Sequence, residues 1–187
     1  HVWDNRPAPL FNKVLYEATD LINCHSHLTY EMVNEITPGR ANFVPHALPD
    51  NLFFPLSKDE QASYKQEILG AERKNDFTVF WVNRNARRKR PADLLEAWAK
   101  FMNMLKAEGK SDATLLMHTD PTDGEGPNLL VNVEQLGIVD HVVFSNQRID
   151  FEKMNILQNI IDCCINLEYA KRFVLYNLGT IQCVNRI

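Results

Sequence analysis

The 187-residue chain has no CxxC pair, no glycine-rich phosphate loop, no GxSxG elbow and no apolar run near the length of a membrane span. Each absence removes a class. Without a Walker loop or GxGxxG, P-loop nucleotide hydrolysis and dinucleotide-dependent redox chemistry lose their signature, and without the elbow so does serine hydrolysis. Its four cysteines, Cys24, Cys163, Cys164 and Cys183, form no disulfide framework. The vicinal pair sits in an apolar segment that reads as a buried strand, so reduced thiols and a cytoplasmic location are expected. The first residues show no signal-peptide pattern. The chain also begins without methionine, and a fragment is expected. The six histidines have no zinc-type spacing, and a helix would point His25 and His27 to different faces, so no metal is expected. A net charge of -4 speaks against a general nucleic-acid surface. No internal repeat or low-complexity segment is evident.

What is present centres on residues 77–102, FTVFWVNRNARRKRPADLLEAWAKFM. Residues 77–82 are apolar and rich in β-branched and aromatic side chains, which suits a strand covered on both faces of a parallel sheet. A helix follows. Pro91 suits its first turn, Asp93 favours the positive end of its dipole, and Leu94, Leu95, Trp98, Phe101, Met102 and Leu105 make a stripe at helical spacing, with Gly109 as the stop. Between strand and helix, residues 84–90 hold five cations: Arg84, Arg87, Arg88, Lys89 and Arg90. In an open α/β sheet a loop leaving the carboxyl end of a strand faces the ligand crevice, and a helix start already favours anions. Cations crowded there call for a counter-charge. A phosphate-bearing ligand would supply it, whereas a solvated basic turn, screened by water, would need none.

The remaining pattern alternates. Helices are expected at 11–19, 27–36 (capped by Ser26), 58–69 (with Ser57 and Glu60 as a capping box), 128–136 and 151–161 (capped by Asp150), and strands at 21–24, 42–44, 113–117, 141–144 and 163–167. Pro45, Pro49 and Pro55 enforce an extended connection and mark a domain boundary. The alternation predicts an α/β fold, a Rossmann-like parallel sheet with helices on both faces, its strand ends on one rim. His118, Thr119, Ser145 and Asn146 then stand at strand ends, beside Asn83 and Asn85. His118 could face a ligand or simply bond to backbone. Asp120, Asp123 and Glu125 could hold a cation or merely form a polar loop.

The segment V-N-R-N-A-R-R-K-R-P-A-D-L-L-E-A-W, residues 82–98, resembles the donor-binding turn of GT-B glycosyltransferases, in particular retaining family 4 (group 1 glycosyl transferases). Arg84 and Lys89 match the Arg and Lys that in the family bind the diphosphate of the nucleotide-sugar donor. Asn83 replaces the commoner Gly. N-F-V-P-H-A-L-P-D-N-L-F-F-P-L, residues 42–56, is similar to the family's IPNGVD-type interdomain segment, and W-D-N-R-P-A-P-L-F-N and D-L-I-N-C-H-S look like the end of its N-terminal domain. H-T-D-P, L-G-I-V-D-H-V-V-F and I-D-C-C-I-N-L fall where the family places its next strands.

The resemblance implies a remnant of the acceptor-side domain at 1–48 with an αβα pattern, a linker and helix at 49–76, and an incomplete donor-binding domain at 77–187. It implies glycosyl transfer with retention from a nucleotide-diphospho-sugar to a glycan, lipid or protein acceptor, with Arg84 and Lys89 catalytic. Asn83, Asn85, His118, Thr119, Ser145 and Asn146 are then the donor-binding rim. No cofactor, no metal and no nucleic-acid partner is implied, and peripheral membrane association of a full-length parent is compatible with it. The departure comes late. Lys171 and Gly179 stand where the family has a glutamate pair, and Arg172 and Val174 replace loop glycines. Little or no activity is therefore expected of this chain alone. A frameshift, a truncation or a degenerate copy would each give this pattern. Two other readings stay open: a non-catalytic nucleotide-diphosphate or sugar-binding module, and a small nucleic-acid-binding domain using the basic cluster.

Overall fold

Phe77–Val82 (β3) is one of the two inner strands of a four-stranded parallel sheet. The computed structural model describes residues 9–47 and 51–167, which fall into two compact units divided between these ranges.

In the unit spanning 51–167, β3 pairs along its whole length with Ala113–His118 (β4), from Phe77 opposite Ala113 to Val82 opposite His118. Val142–Ser145 (β5) extends the sheet beyond β4, and Cys163–Cys164 (β6) flanks β3 on its other side. The helices alternate with these strands as the capping residues dictate. Lys58–Leu69 (α3) opens on the reciprocal Ser57–Glu60 box, and Leu129–Gln135 (α5) opens on Asn128, whose side chain accepts from two backbone N–H groups. Phe151–Asn159 (α6) opens on Asp150, which accepts from the Lys153 N–H. Pro91–Ala107 (α4) has Pro91 in its first turn. It stops before Gly109, which takes the left-handed conformation (φ +72°) that glycine adopts without steric cost.

Alternation along the strands divides the core. Val79, Trp81, Leu115 and Met117 face α4 and α5, meeting Leu94, Leu95, Trp98, Met102, Leu129 and Val133 in one buried cluster. Phe80 and Leu116, both fully buried, point to the other face. Right-handed crossovers bring α6 to that face, where it contacts α3. The chain before α3 is fastened there by asparagine. Asn155 accepts from the Phe54 N–H at 3.1 Å, and Asn159 accepts from the Leu56 N–H at 2.8 Å while donating to the Phe54 carbonyl at 3.0 Å. These bonds satisfy backbone groups of an extended segment that pairs with no strand among the described residues.

The unit spanning 9–47 is a β–α–β element. Ile22–Cys24 (β1) and Ala41–Phe43 (β2) pair in parallel, joined by His27–Ile36 (α2), which Ser26 caps. Cys24, Val33 and Ala41 form its small core. Lys13–Glu17 (α1) precedes them, and Arg40 reaches back to the carbonyls of Glu17 and Thr19.

Several sequence expectations change. The helix expected at 11–19 begins as a 3-10 turn, Pro9–Asn12, and is α-helical only over Lys13–Glu17, because Asn12 makes no capping bond. His25 precedes the Ser26 cap, outside the helix as expected; it stacks on His46 and donates from Nδ1 to the Val44 carbonyl. The strand expected at 163–167 pairs only at Cys163–Cys164. Cys163 is exposed and Cys164 half-buried, since among the described residues β6 lies at the sheet edge and pairs only with β3. Cys183, Glu168, Lys171, Arg172, Val174 and Gly179 lie outside the described residues.

Candidate functional site

Because the strands are parallel, the loops leaving β3, β4 and β5 emerge along one rim, and the expected site residues lie on these loops or at the strand ends. The first loop, residues 83–90, is stitched to the second, residues 119–128. Arg84 carries the main link. Its Nε meets Asp123 Oδ2 at 2.6 Å, its Nη2 meets Asp123 Oδ1 at 3.2 Å, and its Nη1 meets Glu125 Oε1 at 2.9 Å. These bonds raise the Arg84 pKa and hold the Asp123 carboxyl below its usual range, the hydrogen bond between the two being the largest cause in each. The counter-charge demanded by the basic turn thus comes from within the chain. Arg90 adds a second pairing, to Asp93 in the first turn of α4.

Asn85 makes the second link. It is fully buried, and its amide donates to the carbonyls of Pro127 at 2.8 Å and Pro121 at 3.3 Å. The Arg87 N–H donates to the Glu125 carbonyl at 3.3 Å, closing the seam. Arg87–Lys89 is a 3-10 turn that leaves Lys89 8% exposed. Arg90 then takes a left-handed conformation (φ 51°) at the start of α4, a position where glycine is the low-strain residue. A cavity of about 340 Å³ opens here, lined by Arg87, Arg90, Pro91, Ala92, Asp93, Gly126 and Pro127.

Farther along the rim, His118 Nδ1 and Ser145 Oγ are 2.9 Å apart, and the Thr119 N–H donates to the Ser145 carbonyl at 2.9 Å. His118 is partly buried, and desolvation lowers its pKa. Thr119 is buried, and its hydroxyl has no hydrogen-bond partner among the described residues. His118, Thr119 and Ser145 therefore form one cluster, and Arg84 and Asn85 belong to another with the 121–127 loop. Asn83 is half-buried and Asn146 exposed. Arg84 and Lys89 are presented differently: the Arg84 side chain is 58% exposed, while Lys89 is enclosed in its turn.

Of the three acids read as a possible cation loop, Asp123 and Glu125 are taken by Arg84, and Asp120 caps its own turn through Thr122. Among the described residues no group of three or more His, Cys, Asp or Glu is placed to hold a metal ion. Among them, too, no helix is long and apolar enough to cross a membrane. Sequence reasoning missed the partnership of Arg84 with Asp123 and Glu125, which lie about 40 residues away on another loop. The one visible signal was that a dense basic turn and an acidic turn both follow strands.

No protein-family model matches the chain, and no curated protein matches it. Solved structures do. The chain is similar to Anabaena Alr3699/HepE in complex with UDP and glucose at 15% identity and a TM-score of 0.70, covering 98% of this chain and 50% of that one. It is similar to the C-terminal domain of the glycosyl transferase group 1 family protein LpcC from Francisella tularensis at 17% identity and a TM-score of 0.55, covering 73% and 67%. A third, described as trehalose-6-phosphate from E. coli bound with UDP-2-fluoro glucose, matches at 12% identity with a TM-score of 0.64, covering 95% and 47%. The chain spans about half the length of the first and third of these. At such identities the likeness is one of fold, and the fold it shows for this chain is the Rossmann-like α/β arrangement of GT-B proteins.

Proposed function

We propose that this chain is the donor-side part of a glycosyltransferase, binding a nucleotide-diphospho-sugar at the rim of its four-stranded sheet. The observation that carries the reading is Arg84. An exposed guanidinium stands on the loop leaving strand β3, in a fold shared with Anabaena HepE, which has been solved both with UDP and with UDP-glucose. Donor transfer needs the departing diphosphate stabilised as its bond lengthens, and a fixed cation can do this without a metal. Arg84 supplies the charge at the loop surface. Lys89 supplies it from within the turn, and Asn85 positions both by holding the neighbouring loop. His118 and Ser145, with Asn83 and Asn146, form the part of the rim that meets the rest of the donor, and Thr119, itself buried, ties β4 to Ser145 through its N–H. Retention of configuration follows from the resemblance of residues 82–98 to the family 4 turn, and the acceptor belongs to the whole protein.

Calorimetric titration with UDP, with inorganic phosphate and with a short oligonucleotide tests this. Saturable UDP binding that Arg84→Ala and Lys89→Ala each weaken about tenfold or more is expected, since hydrogen bonds to charged groups carry roughly that much. Binding of the oligonucleotide alone, falling steeply with salt, would transfer the basic turn to nucleic acid.

A further inference from the structure

The two acids that hold Arg84 are not equivalent. The Asp123 side chain is 16% exposed, and its Oδ1 also accepts the Glu125 N–H at 3.0 Å, so it is part of the turn it sits in. That turn is pinned by Asn85 through the carbonyls of Pro121 and Pro127. Asp123 grips the guanidinium along its Nε–Nη2 edge, a two-point contact that fixes its plane. Glu125 is different. Its side chain is 60% exposed, it meets Arg84 through the single Nη1–Oε1 contact at 2.9 Å, and swinging it into solvent breaks no other side-chain bond among the described residues. Exposed single-contact ion pairs of this kind contribute little net free energy.

We infer that Glu125 is a displaceable occupant of the phosphate position on Arg84, while Asp123 is the fixed brace that orients the guanidinium toward it. The inference rests on the reading of Arg84 as a diphosphate ligand. A phosphate oxygen arriving at the rim exchanges with the Glu125 carboxylate on Nη1, and the Asp123 contact persists throughout. No covalent bond changes. Glu125 therefore acts as a competitor built into the loop: it weakens the resting affinity for phosphate and fills the Nη1 position while the site is empty. The two acids must then act with opposite sign, although both pair with the same arginine.

UDP titrations of the full chain and of Glu125→Gln, Asp123→Asn and Arg84→Ala test it, with inorganic pyrophosphate as a second probe. Glu125→Gln is expected to bind UDP about two- to fivefold more tightly, the range an exposed ion pair allows. Asp123→Asn is expected to bind it more weakly, and Arg84→Ala more weakly still. Glu125 is exposed, so its variant keeps the fold, and the Glu125 arm decides the question. Unchanged or weaker binding in Glu125→Gln, with binding still lost in Arg84→Ala, would overturn the competitor role and leave the diphosphate reading standing. If neither the parent chain nor Glu125→Gln binds UDP or pyrophosphate, both fall together.

Discussion

Asn85 and Gly126 are in such close contact that a Cβ added to Gly126 would lie 2.0 Å from Asn85 Oδ1 and 2.7 Å from the Asn85 carbonyl. The buried asparagine and the bare glycine are one joint, by which the loop after β4 is locked to the loop after β3. Gly126→Ala must push the asparagine out of place, because backbone as well as side chain is in the way. A loss of about 1–3 kcal/mol in urea unfolding is expected, the scale of overpacking a tight site. Asn85→Ala should cost a similar amount by abandoning two loop carbonyls. Wild-type midpoints in both variants would show that the loops hold together without this joint.

Asn159 is expected to control the segment before α3. Replacing it with alanine removes its bonds to the Leu56 N–H and the Phe54 carbonyl, at a cost of about 2 kcal/mol. Hydrogen exchange gives the local reading: the Leu56 amide should lose protection while amides of β3 and β4 keep theirs. Uniform loss across the sheet would instead mean that the segment is needed for the whole unit to fold.

Thr119 offers a case where a polar group is a burden. Its hydroxyl is buried without a partner among the described residues, so Thr119→Val, which keeps the shape, should raise stability by about 1 kcal/mol. Thermal melting checks it. A fall in melting temperature would reveal a hydrogen bond that the hydroxyl makes in solution.

His118 should make stability fall on the acid side of neutrality. Burial holds its folded pKa below the ordinary 6.5, so as pH drops from 6.5 towards the folded value the unfolded chain takes up the proton and the folded chain does not. Stability contributed by the neutral ring is complete above 6.5 and is lost as pH falls through that window. Melting temperature measured against pH should show this slope in the parent and less of it in His118→Asn. Parallel curves would remove His118 from the account.

Much of the fold was legible because its signals are local. Ser57 with Glu60, and Asp150, announce helix starts through side chains that reach only three residues, and Gly109 announces a stop through left-handed backbone. The stripe from Leu94 to Met102 announces which face of α4 is buried. What stayed hidden depends on partners distant in the chain. Nothing near Cys163 tells that β6 would be a two-residue edge strand. The Arg84 pairings and the Asn155 and Asn159 fastenings join residues about 40 and about 100 positions apart. Charge density pointed to the region around Arg84, but not to the acids that neutralise it.

The strand order β5-β4-β3-β6 has a consequence for assembly as the chain is made. The earliest strand of this sheet is an inner one, and each later strand adds to a free edge, first β4, then β5 beyond it, then β6 on the opposite side. No strand has to be inserted between two that are already paired. The sheet can therefore grow outward in the order of synthesis: β4 and β5 each close onto the strand just before them, and only β6 makes a long closure, back to β3. Phe54 and Leu56 are the exception. They leave the ribosome early, yet wait until α6 has emerged for the asparagines that fasten them.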